Sequence, residues 1–157
     1  MLNTIAIKNY RSIRELIVPL SSLNVVTGAN GAGKSNLYRA LRLLAETAVG
    51  RAVSSLVEEG GLDSCLWAGP DQVARTRDQV VEGQARRSSV SLQLGFSADE
   101  GGYLLDFGLP EPVPRTQFGL DPEIKREAIF HSAYYESSTA LVERSGPSLR
   151  ARDDSGR

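Results

Sequence analysis

The segment Gly28-Ala29-Asn30-Gly31-Ala32-Gly33-Lys34-Ser35 fits G-x-x-x-x-G-K-[ST] at every fixed position, the spacing of a loop that wraps the phosphates of a nucleoside triphosphate. Glycines reach dihedrals and close approaches denied to residues with a Cβ, so successive backbone N–H groups can converge on phosphate oxygens. A helix beginning at Lys34 would add its positive end to the same anion site. Lys34 is placed to neutralise the β- and γ-phosphates and is the catalytic cation of the motif, and the Ser35 hydroxyl is a ligand for the Mg²⁺ that bridges them. ATP with Mg²⁺ is the expected ligand, because no [NT]-K-x-D element that reads guanine occurs.

Other chemistry is sparse. His131, the only histidine, sits beside Phe130 and Tyr134-Tyr135 and reads as a packed or surface residue. No Ser-His-Asp, metal-ligand or paired-carboxylate constellation assembles around it. Cys65 stands alone, which excludes an internal disulfide and suits a reducing compartment; within Leu62 to Trp67 it reads as a small buried hydrophobe.

A phosphate loop needs a strand before it and a helix after it, and the flanking patterns supply both expectations. Ile5 and Ile7 alternate with polar or small residues, as do Leu16, Val18 and Leu20 after a break at Asn9 to Ser12, so two strands are expected. Leu23, Val25, Val26 and Thr27 form a third short run, apolar on both faces, as in a buried central strand. From Lys34 the period becomes helical, with Leu37, Ala40, Leu41, Leu44 and Ala48 on one face and Asn36, Arg39, Arg42 and Glu46 elsewhere. Val49, Ala52, Val53, Leu56 and Val57 continue or restart the helix around Gly50, and Gly60-Gly61 stop it.

Gly69 to Ser89 is polar and reads as a solvated connector. Beyond it, Val90 to Phe96 and Tyr103 to Leu109 alternate around Asp99-Glu100-Gly101-Gly102, a hairpin with one apolar face. Pro110, Pro112 and Pro114 stiffen the next connection, and Ile124 to Phe130 fits a strand or a helix equally. Leu141 to Arg144 and Leu149 to Arg152 flank a turn at Gly146-Pro147, and the closing Asp153-Asp154-Ser155-Gly156 is itself a turn signal, which suggests a truncated segment. The organisation expected is a P-loop lobe at 1–68, a polar connector at 69–89 and an antiparallel β-rich segment at 90–157.

With 18 basic and 19 acidic residues and a net charge of -1, global electrostatics give no argument for nucleic acid or an anionic membrane. The apolar fraction of 41% is that of a globular chain. No apolar run approaches the roughly 20 residues that span a bilayer, so no membrane partner is expected and the cytoplasm is the default location.

The run T-G-A-N-G-A-G-K-S-N-L, preceded by I-K-N-Y-R-S-I, resembles the amino-terminal lobe of ABC-type ATPases of the RecF and SMC group, and more nearly the bacterial AAA-family ATPases related to RecF and to the OLD-type nucleases. Asn30 and Asn36 are features of that group, and Gly60 to Gly69, Val90 to Leu109 and Leu141 to Arg152 also fit its pattern. The resemblance implies an α/β P-loop NTPase fold with a β-rich antiparallel insertion. It also implies a nucleotide site formed by Gly28 to Asn36, with Arg11 near the phosphates or ribose. An exposed arginine in a strand connection is equally compatible with the sequence. Gln72, Gln84 and Gln93 are candidates for the family's Mg²⁺-sensing glutamine.

The family's hydrolytic apparatus further requires an apolar strand ending in Asp-Glu and a Ser-Gly-Gly signature that completes the site of a partner head. Neither occurs: Leu104-Leu105-Asp106 is followed by Phe107, and Ser145-Gly146 by Pro147. The favoured reading is therefore the ATP-binding part of a longer ATPase that dimerises through nucleotide-bound heads and acts on DNA or an effector domain. The alternative is a non-catalytic nucleotide-binding module, either a natural short chain or half of a split protein.

Overall fold

The computed structural model describes residues 1–67, 69, 91–110, 119 and 121–152. These build one seven-stranded antiparallel sheet in the order β2-β1-β3-β4-β5-β6-β7, formed by β1 (Leu2–Tyr10), β2 (Ile13–Pro19), β3 (Leu92–Ala98), β4 (Gly101–Gly108), β5 (Glu123–Phe130), β6 (Ala140–Ser145) and β7 (Ser148–Ala151). Because β1 pairs with β3, with Ile7 opposite Leu94, the β3–β4 hairpin extends the sheet begun by the amino-terminal strands. Ile124 to Phe130 forms a strand, since β4 offers it an edge and its alternate residues Ala128 and Phe130 become buried.

Period-2 alternation gives this sheet two unlike faces. Ile5, Ile7, Leu92, Leu94, Leu105 and Phe107 point to one side, where α1 (Lys34–Ala48), α2 (Ala52–Glu58) and α3 (Leu62–Cys65) cover them and complete the core with Ala40, Leu43, Leu56, Leu62 and Cys65. The helices break where the sequence cannot continue them: Gly50, Gly60 and Gly61 all adopt positive φ, a conformation that glycine enters without steric cost. Cys65 is fully buried in this core.

Two expectations are corrected. Leu23 to Thr27 is not a strand: the segment is irregular and its apolar side chains face solvent, with Leu23 80%, Val25 78% and Val26 57% exposed. A strand apolar on both faces is stable only with neighbours along both edges and cover on both faces, and none of the described strands pairs with it. On α1 the buried residues are Ala40, Leu43 and Leu44, while Leu37 is half-buried and Leu41 lies 36% exposed. Helix α2 packs back against α1 and draws Leu43 into the core, turning the buried stripe away from Leu41; Arg39 and Arg42 stay exposed. Apart from Gly69, the polar connector expected at 69–89 lies outside the described residues.

Candidate phosphate-binding site

The loop from Gly28 to Gly33 runs directly into α1, with Gly33 as the cap residue in the left-handed region at φ 92. Gly31 is also left-handed, at φ 85. At Gly33 glycine is required twice, because a Cβ there would also lie 2.7 Å from the Ser12 hydroxyl. The carbonyl of Gly33 accepts the N–H groups of Asn36 and Leu37. The amides of Lys34 and Ser35, ahead of them, have no intrahelical acceptor, as at the start of any helix. Lys34 Nζ arches back over the loop and donates to the carbonyls of Gly28 at 2.6 Å and Ala29 at 2.8 Å. The cation, the free amides and the exposed Ser35 hydroxyl thus stand around one loop, an arrangement suited to a polyphosphate.

A tight turn at the end of β1 abuts this loop. The Ser12 hydroxyl accepts a 2.8 Å hydrogen bond from Asn36 Nδ2 on the first turn of α1. Arg11 reaches elsewhere: its Nη2 and Nε donate to Glu59 Oε2 at 2.7 and 3.2 Å, and the Tyr10 hydroxyl donates to the same oxygen at 2.9 Å. Burial alone would raise the Glu59 carboxyl, but the hydrogen bonds from Arg11, Tyr10 and Cys65 outweigh it and hold the group below the usual carboxylate range. Burial pushes the Tyr10 phenol up to about 12 and the Cys65 thiol to about 11, so both are neutral partners of an ionised Glu59. Between this turn, α1 and α2 lies a cleft of about 340 Å³ lined by Arg11, Arg39, Arg42, Ser55, Glu58 and Glu59.

Residues 1–102 match the family model of the AAA ATPase domain. The chain belongs to that family. It is also 26% identical over 147 residues to the DNA replication and repair protein RecF of Geotalea daltonii, a match covering 89% of this chain and 40% of the relative. The chain thus spans about two fifths of the length of the curated relative it matches. No solved structure matches.

The remaining candidates of this AAA ATPase domain are not gathered at the loop. Gln93 Nε2 donates to Asp106 Oδ2 at 3.0 Å across β3 and β4, on the face of the sheet turned away from the helices. Asp106 is held as a hairpin residue there, and its Oδ1 is buried without a hydrogen-bond partner. Gln72 and Gln84 fall outside the described residues. Ser145-Gly146 forms the turn between β6 and β7, with Gly146 at φ 55. His131 is exposed. Among the described residues no group of His, Cys, Asp or Glu could hold a metal ion, and no helix is long and apolar enough to cross a membrane.

Sequence reasoning missed Glu59 and the part Ser12 plays in the site. Glu59 carries no pattern, since a carboxylate ending a short surface helix looks like a solvated charge. Ser12 had a signal: the break of alternation at Asn9 to Ser12 marked a fixed turn directly between two strands.

Proposed function

We propose that this chain is the ATP-binding lobe of a RecF- or SMC-like AAA ATPase that hydrolyses ATP as a dimer of complete heads. The observation that carries the reading is the Gly28 to Ser35 loop opening onto α1, with Lys34 poised over it. In this reading Lys34 neutralises the β- and γ-phosphates, the amides of Lys34 and Ser35 bind their oxygens, and Asn36 lies at the rim. The residue fitted to Mg²⁺ is Ser35, whose hydroxyl is exposed beside the loop; when bound, Mg²⁺ supplies charge neutralisation of the bridged phosphates. Arg11 can approach the phosphates or ribose only by leaving Glu59.

The exposed Leu23, Val25 and Val26 support the incompleteness of the lobe. An exposed apolar segment of this composition gains stability when further polypeptide covers it, and the matched relative is more than twice as long as the aligned segment. We place the P-loop lobe at 1–68, the connector at 69–89 and the antiparallel segment at 90–157. The acidic residues that orient water would come from the remaining polypeptide, the signature that encloses the γ-phosphate from a second head, and the work would be done on DNA or an effector domain in the cytoplasm.

The test is steady-state phosphate release at saturating Mg-ATP, with Lys34→Ala as the blank for contaminating ATPases. The isolated chain should stay at the blank, because each absent transition-state contact costs about 10² or more in rate, and activity should appear with the longer protein. A rate of about 1 s⁻¹ from this chain alone, lost in the mutant, would overturn the incomplete-lobe reading.

A further inference from the structure

The turn between β1 and β2 is held more firmly than a strand connection requires. Arg11 N–H donates to the Cys65 carbonyl at 2.7 Å and Trp67 N–H to the Asn9 carbonyl at 3.1 Å, while Tyr10 bridges Leu66 as an isolated antiparallel pair. Asn9 and Arg11 both take positive φ, 59 and 48, a conformation that costs a non-glycine residue about 1 kcal/mol or more and persists only where the surroundings impose it. Tyr10 and Arg11 then tie their side chains to Glu59. The residue this clamped turn presents to the phosphate loop is Ser12. Its hydroxyl accepts from Asn36 Nδ2 at 2.8 Å and stands 2.7 Å from the point where a Cβ on Gly33 would project.

We infer that Ser12 is a positioning residue for the phosphate loop, acting through Asn36 and the open face of Gly33 rather than by touching the nucleotide. This rests on the phosphate-binding reading of Gly28 to Ser35. The chain of contacts runs from α2 and α3, through the strained turn, to the first turn of α1. That first turn carries the Lys34 and Ser35 amides and the Ser35 hydroxyl and is tied back through the Gly33 carbonyl, which accepts from Asn36 and Leu37; helix ends fray in general. Ser12 stops that fraying from outside. The hydroxyl occupies the space that the missing Cβ of Gly33 leaves, and it fixes the side chain that follows Ser35. Site groups must be held within about 0.5 Å to act together, and an external bond to the first turn supplies that restraint.

The experiment is calorimetric titration of the whole chain with Mg-ATP, using Ser12→Ala, Ser12→Thr, Asn36→Ala, the Ser12→Ala/Asn36→Ala double variant and Lys34→Ala. Ser12→Ala should weaken binding about fivefold, the effect of one lost hydrogen bond, with a melting temperature lowered by no more than about 3 °C because Ser12 is exposed. Ser12→Thr, which keeps the hydroxyl, should restore wild-type affinity. Asn36→Ala should bind at least as weakly as Ser12→Ala, and adding Ser12→Ala to it should cost less than Ser12→Ala costs alone, since residues in contact are not additive. Wild-type affinity in Ser12→Ala beside a normal Lys34→Ala defect overturns the positioning role alone, as do additive losses in the double variant. If Lys34→Ala binds as wild type does, the phosphate-binding reading fails and this inference fails with it.

Discussion

Glu59→Ala removes the group on which the helix side of the turn converges, and the structure sets the size of the effect. The substitution leaves the Tyr10 hydroxyl, on a residue 0% exposed, without its acceptor, a loss of about 1–3 kcal/mol for a buried unsatisfied donor. It also breaks the 2.7 Å pair with Arg11, whose side chain is 24% exposed against 25% for Glu59. Partial solvation reduces that part to about 1 kcal/mol, between the exposed and buried limits. The expected total is about 2–4 kcal/mol, or a melting temperature lower by about 6–12 °C at roughly 3 °C per kcal/mol for a chain of this size. Thermal or urea unfolding followed by circular dichroism reads it. The pH dependence gives an internal check. Because folding depresses the Glu59 carboxyl, its stabilisation is fully present above the unfolded value of about 4.3 and is lost as pH falls through the lower folded value. The gap between wild type and Glu59→Ala should therefore be widest near neutral pH and narrow in acid, where the protonated carboxyl keeps only its acceptor role toward Tyr10. A difference under about 0.5 kcal/mol at pH 7, or a gap that does not narrow on acidification, would refute the assignment of Glu59 as the anchor of the turn.

Further outcomes follow from the same geometry. Gly33→Ala should cost at least about 1–2 kcal/mol in unfolding measurements, because an alanine at φ 92 is strained and its Cβ meets the Ser12 hydroxyl, and it should abolish measurable Mg-ATP binding in titration. In an alkaline spectrophotometric titration, Tyr10 and Tyr103 should ionise above the ordinary phenol value of about 10: burial raises both phenols, and Glu59 and Glu127 accept from them. The stability linked to Tyr10 should persist below pH 10 and fade as pH rises through about 12. Leu56→Ala, on the buried side of α2 and 0% exposed, should cost about 2–5 kcal/mol by chemical denaturation.

What the sequence made legible were features whose cause is local. Gly60-Gly61 marked the end of α2 while Gly50 left a break or a continuation open, alternation located β1 to β4, and the fixed spacing from Gly28 to Ser35 marked the candidate loop. Where the cause was remote, pattern failed. Leu23 to Thr27 has the composition of a central strand, but strand formation depends on partners, and none of the described strands pairs with it. Ile124 to Phe130 was ambiguous for the same reason: only the free edge of β4 decides it. The stripe on α1 turned because α2 folds back onto it, which no periodicity within α1 encodes. The site was legible in its loop and illegible in its support, since the Glu59–Arg11–Ser12–Asn36 arrangement joins residues brought together by the sheet.

The central claim is that Gly28 to Ser35 binds the phosphates of ATP, and calorimetric titration of the wild-type chain and Lys34→Ala with Mg-ATP tests it most directly. The Lys34 ammonium already lies over the loop on the Gly28 and Ala29 carbonyls, and exchanging them for phosphate oxygens creates charge-assisted contacts worth about 2 kcal/mol or more. The account predicts saturable binding by the wild type and an affinity at least about tenfold weaker in the variant, with unchanged circular dichroism. Equal affinities, or no binding by the wild-type chain, would contradict it.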